Sequence, residues 1–255
     1  MRHLPSRCLA LLALLVLPLP ALAGDSNCRY GADRRASLDT AGASRVEIMA
    51  RAGDLRVQPA RTSTLSAGGQ ACASSQEFLD QTLLYVRRDG DVVRVHVQVP
   101  GEMKGIGVFY ARLDLTVDVP AGLPVDVTDS SGDMTLEGVR VATVRDSSGD
   151  IEARGLVGDV AIEDSSGDIR IEESAGAVRV TDSSGDIVIR GAAAVEIALD
   201  SSGDIVVERV SRDVRIERDS SGDITVSGVG GNVEVLADGS GQLRVSEVKG
   251  TVRLP

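Results

Sequence analysis

The chain has 255 residues, with 38 Asp and Glu against 27 Lys and Arg and a formal net charge of −11. An acidic surface of this kind argues against nucleic acid as a partner and against adsorption to anionic lipid. Aromatic residues make up 2 % and Trp is absent, so there is little from which to build the stacking platforms of base- or sugar-binding faces.

At the N-terminus, Arg2 and Arg7 precede the apolar run at 9–23, which ends in Ala21-Leu22-Ala23. This is the pattern of a signal peptide at 1–23, cut before Gly24. The run is short for a span of about 20 residues, and Pro18 and Pro20 interrupt it. No Cys stands at the cleavage point, as a lipoprotein would need, and no later stretch is long and apolar enough to span a membrane as a helix. Removing Arg2 and Arg7 with the leader moves the formal charge from −11 to −13. The expected location is the periplasm or the cell surface.

Cys8 leaves with the leader, so Cys28 and Cys72 remain. In an exported chain they are expected to form a disulfide. Metal binding is the weaker reading, since two thiols without His partners fill half a zinc shell. A bond closing that loop contributes about 3–4 kcal/mol on the chain-entropy model. It would tie down an irregular N-terminal β region and cap spanning 24–110, followed by regular repeats over 111–255.

Within 24–110, Val46-Glu47-Ile48 and Gly53-Asp54-Leu55-Arg56-Val57 read as degenerate strands of the later kind. Residues 60–81 are small and polar, and a short helix is expected there with Ser74 as N-cap, running through Phe78 and Leu79. Val92, Val93, Val95, Val97 and Val99 mark a strand. Gly101–Tyr110 reads as a glycine-broken loop that either covers the open end of the fold, the preferred reading, or forms a contact surface. Leu113, Leu115, Val117 and Val119 form the next strand, and Val125 and Val127 another.

The block Asp-Ser-Ser-Gly-Asp then occurs at 129–133, 146–150, 164–168, 182–186, 200–204 and 219–223, with a decayed copy, Asp-Gly-Ser-Gly-Gln, at 238–242. The period of 17–19 residues is the signature of a solenoid, in which each repeat adds a layer. Counting from the block glycine, positions +2 and +4 are apolar in every copy, from Met134/Leu136 through Ile187/Ile189 to Leu243/Val245. A second strand supplies the pairs Ala142/Val144, Val160/Ile162, Val178/Val180, Val195/Ile197, Val214/Ile216, Val233/Val235 and Val252/Leu254. Position +7, from Val139 to Val248, turns inward at a bend. A period of two with β-branched residues is strand language. The expected fold is all-β: a single-stranded parallel β-helix, or β-solenoid, of about 18 residues per coil, its coils stacked about 4.8 Å apart. An antiparallel sandwich also uses many short strands but needs no identical turn in each layer.

The block has a structural and a functional reading. In the first, glycine supplies a positive φ at a tight corner while Asp and Ser hydrogen-bond nearby amides. In the second, the stacked rows Asp129, Asp146, Asp164, Asp182, Asp200, Asp219 and Asp133, Asp150, Asp168, Asp186, Asp204, Asp223 bind a hard cation such as Ca²⁺. The period resembles that of calcium β-rolls, but each corner here has one glycine and two serines instead of their glycine-rich turn. The structural reading is preferred, and no metal or other cofactor is assigned.

Residues 113–138, LDLTVDVPAGLPVDVTDSSGDMTLEG, and the SGDIxI units after them resemble the bacterial putative-adhesin family of β-strand repeat proteins, also described as head-of-GIN-domain-like. The resemblance covers roughly 110–255. It implies a parallel β-helix and an envelope or surface location, and it supplies no catalytic motif. The favoured function is a non-enzymatic, adhesin-like structural or interaction module, its partner an unidentified envelope or surface protein. Alternatives are a calcium-binding solenoid and a carbohydrate-active β-helix enzyme. Against the enzyme, the acidic corners recur without asymmetry, and His96 is the single His after the leader.

Overall fold

The computed structural model describes residues 28–101 and 109–255. The leader and its cleavage site lie outside the described residues, as does most of the 101–110 loop. In chain order the elements are β1 (Tyr30–Asp39), β2 (Arg45–Met49), β3 (Leu55–Ala60), β4 (Thr64–Ala73), α1 (Gln76–Gln81), β5 (Leu83–Asp89), β6 (Val92–Gln98), β7 (Ala111–Pro120), β8 (Val125–Thr128), β9 (Met134–Glu137) and β10 (Val141–Arg145). They continue as β11 (Ile151–Arg154), β12 (Val160–Glu163), β13 (Ile169–Glu172), β14 (Ala177–Thr181), β15 (Ile187–Ala192), β16 (Ala194–Leu199), β17 (Ile205–Val210), β18 (Val214–Ile216), β19 (Ile224–Val229), β20 (Val233–Val235), β21 (Leu243–Val248) and β22 (Val252–Arg253).

These strands form two 11-stranded sheets. From β9 onward the odd strands stack in one and, from β8, the even strands in the other, all parallel and each bonded to the equivalent strand one coil away. The protein is a parallel β-solenoid. Its interior is a file of side chains at the same register: Ile151, Ile169, Ile187, Ile205 and Ile224 lie opposite one another in turn, and all are fully buried. Position +7 is buried from Val139 through Val229.

One inward pair differs from expectation. In β10 the buried residues are Val141 and Val144, not Ala142 and Val144. A register shift lies between Val141 and Thr143 where β10 pairs with β8. The bulge leaves Ala142 without a partner and turns it outward. At the C-terminal end, Leu243 and Val245 are half-buried, while Val252 and Leu254 are 47 % and 46 % exposed. The last coil therefore presents its columns with no layer above them.

The N-terminal layers do not follow chain order. β2 lies between β6 and β8, and β3 lies between β7 and β9. The first coil of the chain is thus slotted between the second and the third. The link from β7 to β8 must step past that inserted layer, and Ala121–Pro124 makes the step, with Gly122 at φ +87° and the Leu123 amide donating to the Pro120 carbonyl. Beyond β7 the parallel pattern ends. β4 runs antiparallel to β7, β1 antiparallel to β4, and β5 antiparallel to β6. Antiparallel strands give the open end a different edge from that of the coils, as terminal layers of repeat proteins do.

The Cys28–Cys72 disulfide fastens the start of β1 to the end of β4. α1 packs against β4 and β1 with Leu79 buried. Its N-cap is Ser75, whose Oγ accepts from the Phe78 amide, and not Ser74. Ser74 is committed to the chain at Tyr110: its amide donates to the Tyr110 carbonyl and its Oγ accepts from the Tyr110 amide. A serine already holding a neighbouring strand is not available as a cap, so the helix starts one residue later. Phe78 packs edge-on against Phe109 at 5.9 Å between ring centroids.

Candidate functional site

The stacked Asp-Ser-Ser-Gly-Asp corners are the most distinctive polar feature of the molecule, and each of their five positions has a geometric account. The glycines form a file with φ from +116° at Gly132 to +144° at Gly185. A Cβ on Gly185 would lie 1.9 Å from the Gly167 carbonyl oxygen, and one on Gly203 2.0 Å from that of Gly185. Glycine is required twice over, for its backbone conformation and for the approach of one coil to the next.

The second aspartates form an outward row whose carboxylates serve the backbone. Oδ1 of Asp150 accepts from the Asp168 amide at 2.9 Å, Asp168 from Asp186, Asp186 from Asp204, and Asp204 from Asp223. The row ends where Asp223 accepts from the Gln242 amide. At the other end it continues through Asp133 to Asp54 and Asp114. Asp114 in β7 was not visible as a member from sequence, because its layer is next in space but not in the chain. The second serines also bridge layers, as Ser148 Oγ does in donating to the Ser130 carbonyl at 3.1 Å.

The first aspartates are turned the other way. Asp129, Asp146, Asp164, Asp182, Asp200 and Asp219 are each at most 6 % exposed. Oδ1 of Asp129, Asp146, Asp164 and Asp182 accepts from the amide of the next residue at 2.7 Å. Burial pushes these carboxyls up, to about 6 for Asp129 and Asp164 and about 7 for Asp200.

The ten carboxylates singled out as calcium candidates therefore fall into two kinds. Asp146, Asp164, Asp182, Asp200 and Asp219 face inward. Asp150, Asp168, Asp186, Asp204 and Asp223 face outward, with Oδ1 of each bonded to an amide of the next coil. Among the described residues, no group of three or more His, Cys, Asp or Glu is placed to hold a metal ion.

Outside the corners, ion pairs join successive coils: Arg145 to Glu163 at 3.2 Å, Arg154 to Glu172 at 2.9 Å, Arg190 to Glu208 at 2.9 Å, and Arg215 to Glu234. Exposed pairs of this kind contribute up to about 1 kcal/mol each. His96 in β6 is half-buried and stacked on Tyr85, and burial together with Arg51 and Arg87 lowers its pKa. A shallow groove on the outer face of β10, β12, β14 and β16 is floored by Ala142, Ala161 and Ala194 and rimmed by Asp159, Arg179 and Asp213.

Residues 36–200 match the family model Toastrack DUF4097. The chain belongs to that family. The matched span takes in the end of β1, the inserted layer, β4 and β5, and the first solenoid coils. A search of curated proteins finds no match. Among solved structures, the chain is similar to a putative cell adhesion protein from Clostridium sporogenes, at 9 % identity and TM-score 0.40 over 88 % of this chain and 98 % of that one. It is also similar to a putative adhesin from Bacteroides fragilis, at 13 % identity and TM-score 0.42 over 88 % and 97 %. A putative lipid binding protein from Parabacteroides distasonis matches at 14 % identity and TM-score 0.42 over 86 % and 96 %. No helix among the described residues is long and apolar enough to cross a membrane.

Proposed function

We propose that this protein is an exported, non-enzymatic scaffold of the cell envelope or surface that presents its outer faces to a protein partner, in the manner of an adhesin. The observation that carries this reading is the use made of the repeated polar block. The glycine file, the second serines and the outward aspartates are spent on bonds between coils. A polar set that repeats identically and is bonded to its own backbone serves assembly, whereas catalysis needs one asymmetric constellation of groups meeting at a reacting atom. The leader pattern with Arg2 and Arg7 supports export, and the disulfide suits an oxidising compartment. A rod stiffened by coil-to-coil bonds suits display of a surface.

Fractionation of the source cells with an antibody to the full chain, joined to a turnover screen of the purified protein on polysaccharides, tests the proposal. The expected result is protein in the envelope fraction, with the leader removed, and no glycan cleaved. Turnover of a glycan that is lost when Asp186 and Asp204 are changed to Asn would overturn it, as would a cytoplasmic protein with its leader intact.

A further inference from the structure

One set of atoms in the repeated corner has no role in joining coils: the second carboxyl oxygens of the inward aspartates. Oδ2 of Asp129, Asp146, Asp164, Asp182, Asp200 and Asp219 is buried and meets no donor in any of the six, and Oδ1 of Asp219 is in the same state. Asp182 and Asp200 are fully buried. A carboxylate oxygen hidden from water with no donor is among the costliest features a fold can carry, and a row of them at sheet spacing adds mutual repulsion. The row has definite ends. On the N-terminal side, the position after the pair Met49 and Thr128 is the buried methyl of Ala50. On the C-terminal side stands half-buried Asp238, whose Oδ1 is again buried and unpartnered.

We propose that the inward aspartates form a proton-sharing ladder, in which a protonated carboxyl in one layer donates its O–H to the carboxylate of the next. On this reading the row's ligand is the proton. Each proton taken up removes one charge and converts two orphaned oxygens into a hydrogen-bonded pair. The register permits it, because Asp200, Asp219 and Asp238 lie directly opposite one another as successive parallel bridges. At a layer spacing of about 4.8 Å, side chains repeated at one register meet along the stack. A carboxyl group donates only when protonated, so each such bond along the row takes up one proton.

The charged groups acting on the row from the elements around it are acids. Asp54 and Asp146 act on Asp129, Asp133 on Asp146, Asp168 on Asp182, and Asp238 on Asp219, while Asp164 and Asp200 feel their neighbours in the row. Burial is the largest influence on every member and pushes all six upward against the serine amides.

The sign of the pH dependence follows. A folded-state carboxyl that titrates above its unfolded value near 3.8 binds more protons folded than unfolded between those two values. Stability should therefore rise as pH falls from about 8 toward about 5, opposite to the behaviour of an ion-paired carboxylate. Paired carboxylates with lowered pKa values, such as Glu47 held by Arg94 and Arg45, lose their contribution only below their unfolded value near 4.5, beneath this window. Among the described residues, the one opposing group within it is His96, whose lowered pKa costs stability below its unfolded value of 6.5.

The test uses the full mature chain in chelator, with its urea midpoint and melting temperature followed from about pH 8 to about pH 5 and its infrared spectrum recorded across the same range. The expected result is a midpoint that climbs on acidification, with a carbonyl band of buried, hydrogen-bonded carboxylic acid still present near neutral pH. The double variant Asp182→Asn/Asp200→Asn keeps the shape and imitates the protonated form, since an amide accepts from the serine N–H and donates to the next layer. It should melt higher than the parent at about pH 8, vary less with pH and lose part of the band. A midpoint that is flat or falls on acidification, or a missing band, overturns the proposal. So does a midpoint at about pH 8 that drops on chelation, which would mean that a cation fills the row. If the variant does not fold, the pH profile and the band of the parent chain decide the matter.

Discussion

Changing Gly185 to alanine is expected to destabilise the solenoid by about 3–5 kcal/mol, the sum of backbone strain and overpacking. The backbone there has φ +144°, and the new methyl would sit 1.9 Å from the Gly167 carbonyl oxygen, which belongs to the coil below and cannot swing away as a side chain would. Relief requires the two coils to part, and parting them stretches the bond from the Gly167 amide to the Ser184 carbonyl and the bond from the Asp186 amide to the Asp168 carboxylate. Gly90 is the control. It has φ +62° with nothing within 4 Å of an added Cβ, so Gly90→Ala should cost only about 1–2 kcal/mol. Urea denaturation of the two variants checks the pair. Because the fold is close to one-dimensional, hydrogen exchange should show the Gly185 lesion centred on its own and adjoining coils. Equal costs for the two variants would mean that the close approach of the coils does not hold the corner.

The second large effect concerns the interior file. Ile187 is fully buried between Ile169 and Ile205 in register, and Ile187→Ala should cost about 2–5 kcal/mol through lost burial and the cavity left behind. Leu243 occupies the same column in the last complete coil but is half-buried, so Leu243→Ala should cost only about 1 kcal/mol. Melting curves of both, at equal protein concentration, give the comparison. A Leu243 variant as damaged as the Ile187 variant would show that the last coil is covered in solution.

The solenoid was legible because its signal is redundant. The same inward pair recurs at the same distance from the same glycine, so the columns from Met134 to Val245 could be read without knowing any contact. The bulge at Ala142 was not, since sliding the pattern by one residue leaves apolar residues at every position: Val141, Ala142 and Val144 all suit a core. The layer order of β2–β3 was hidden for a different reason. Gly53-Asp54-Leu55-Arg56-Val57 announces a coil, but a coil is a local object, and nothing within it states which coil lies next to it. The Pro-Ala-Gly segment at 120–122 marked the family resemblance, yet only the pairing of β3 with both β7 and β9 shows that its length steps over an inserted layer.

At the corner, the role of glycine was readable from composition alone. The division of labour between the two aspartates was not, because both are acids flanking the same turn. One faces inward and the other outward, and this follows from the alternation of side chains on either side of Gly, which the turn itself resets. The second corner of each coil was legible as the bend at position +7, but the left-handed residue just before it was not. Gly138, Gly155, Gly191 and Gly228 adopt φ from +60° to +80° there, but Glu173, Arg209 and Glu247 take the same conformation in other coils and break the glycine pattern that would have marked it.

The Asp-Ser-Ser-Gly-Asp corner fastens coil to coil through bonds to its own backbone, and on the proposed reading this is its use in place of ion binding. Calorimetric titration of the metal-stripped protein with Ca²⁺ at neutral pH, paired with melting curves in the same solutions, tests it most directly. The account predicts no saturable uptake at about millimolar Ca²⁺, the range of weak extracellular sites, and an unchanged melting temperature. Saturable uptake accompanied by a raised melting temperature, both abolished by changing Asp168, Asp186 and Asp204 to Asn, would contradict it.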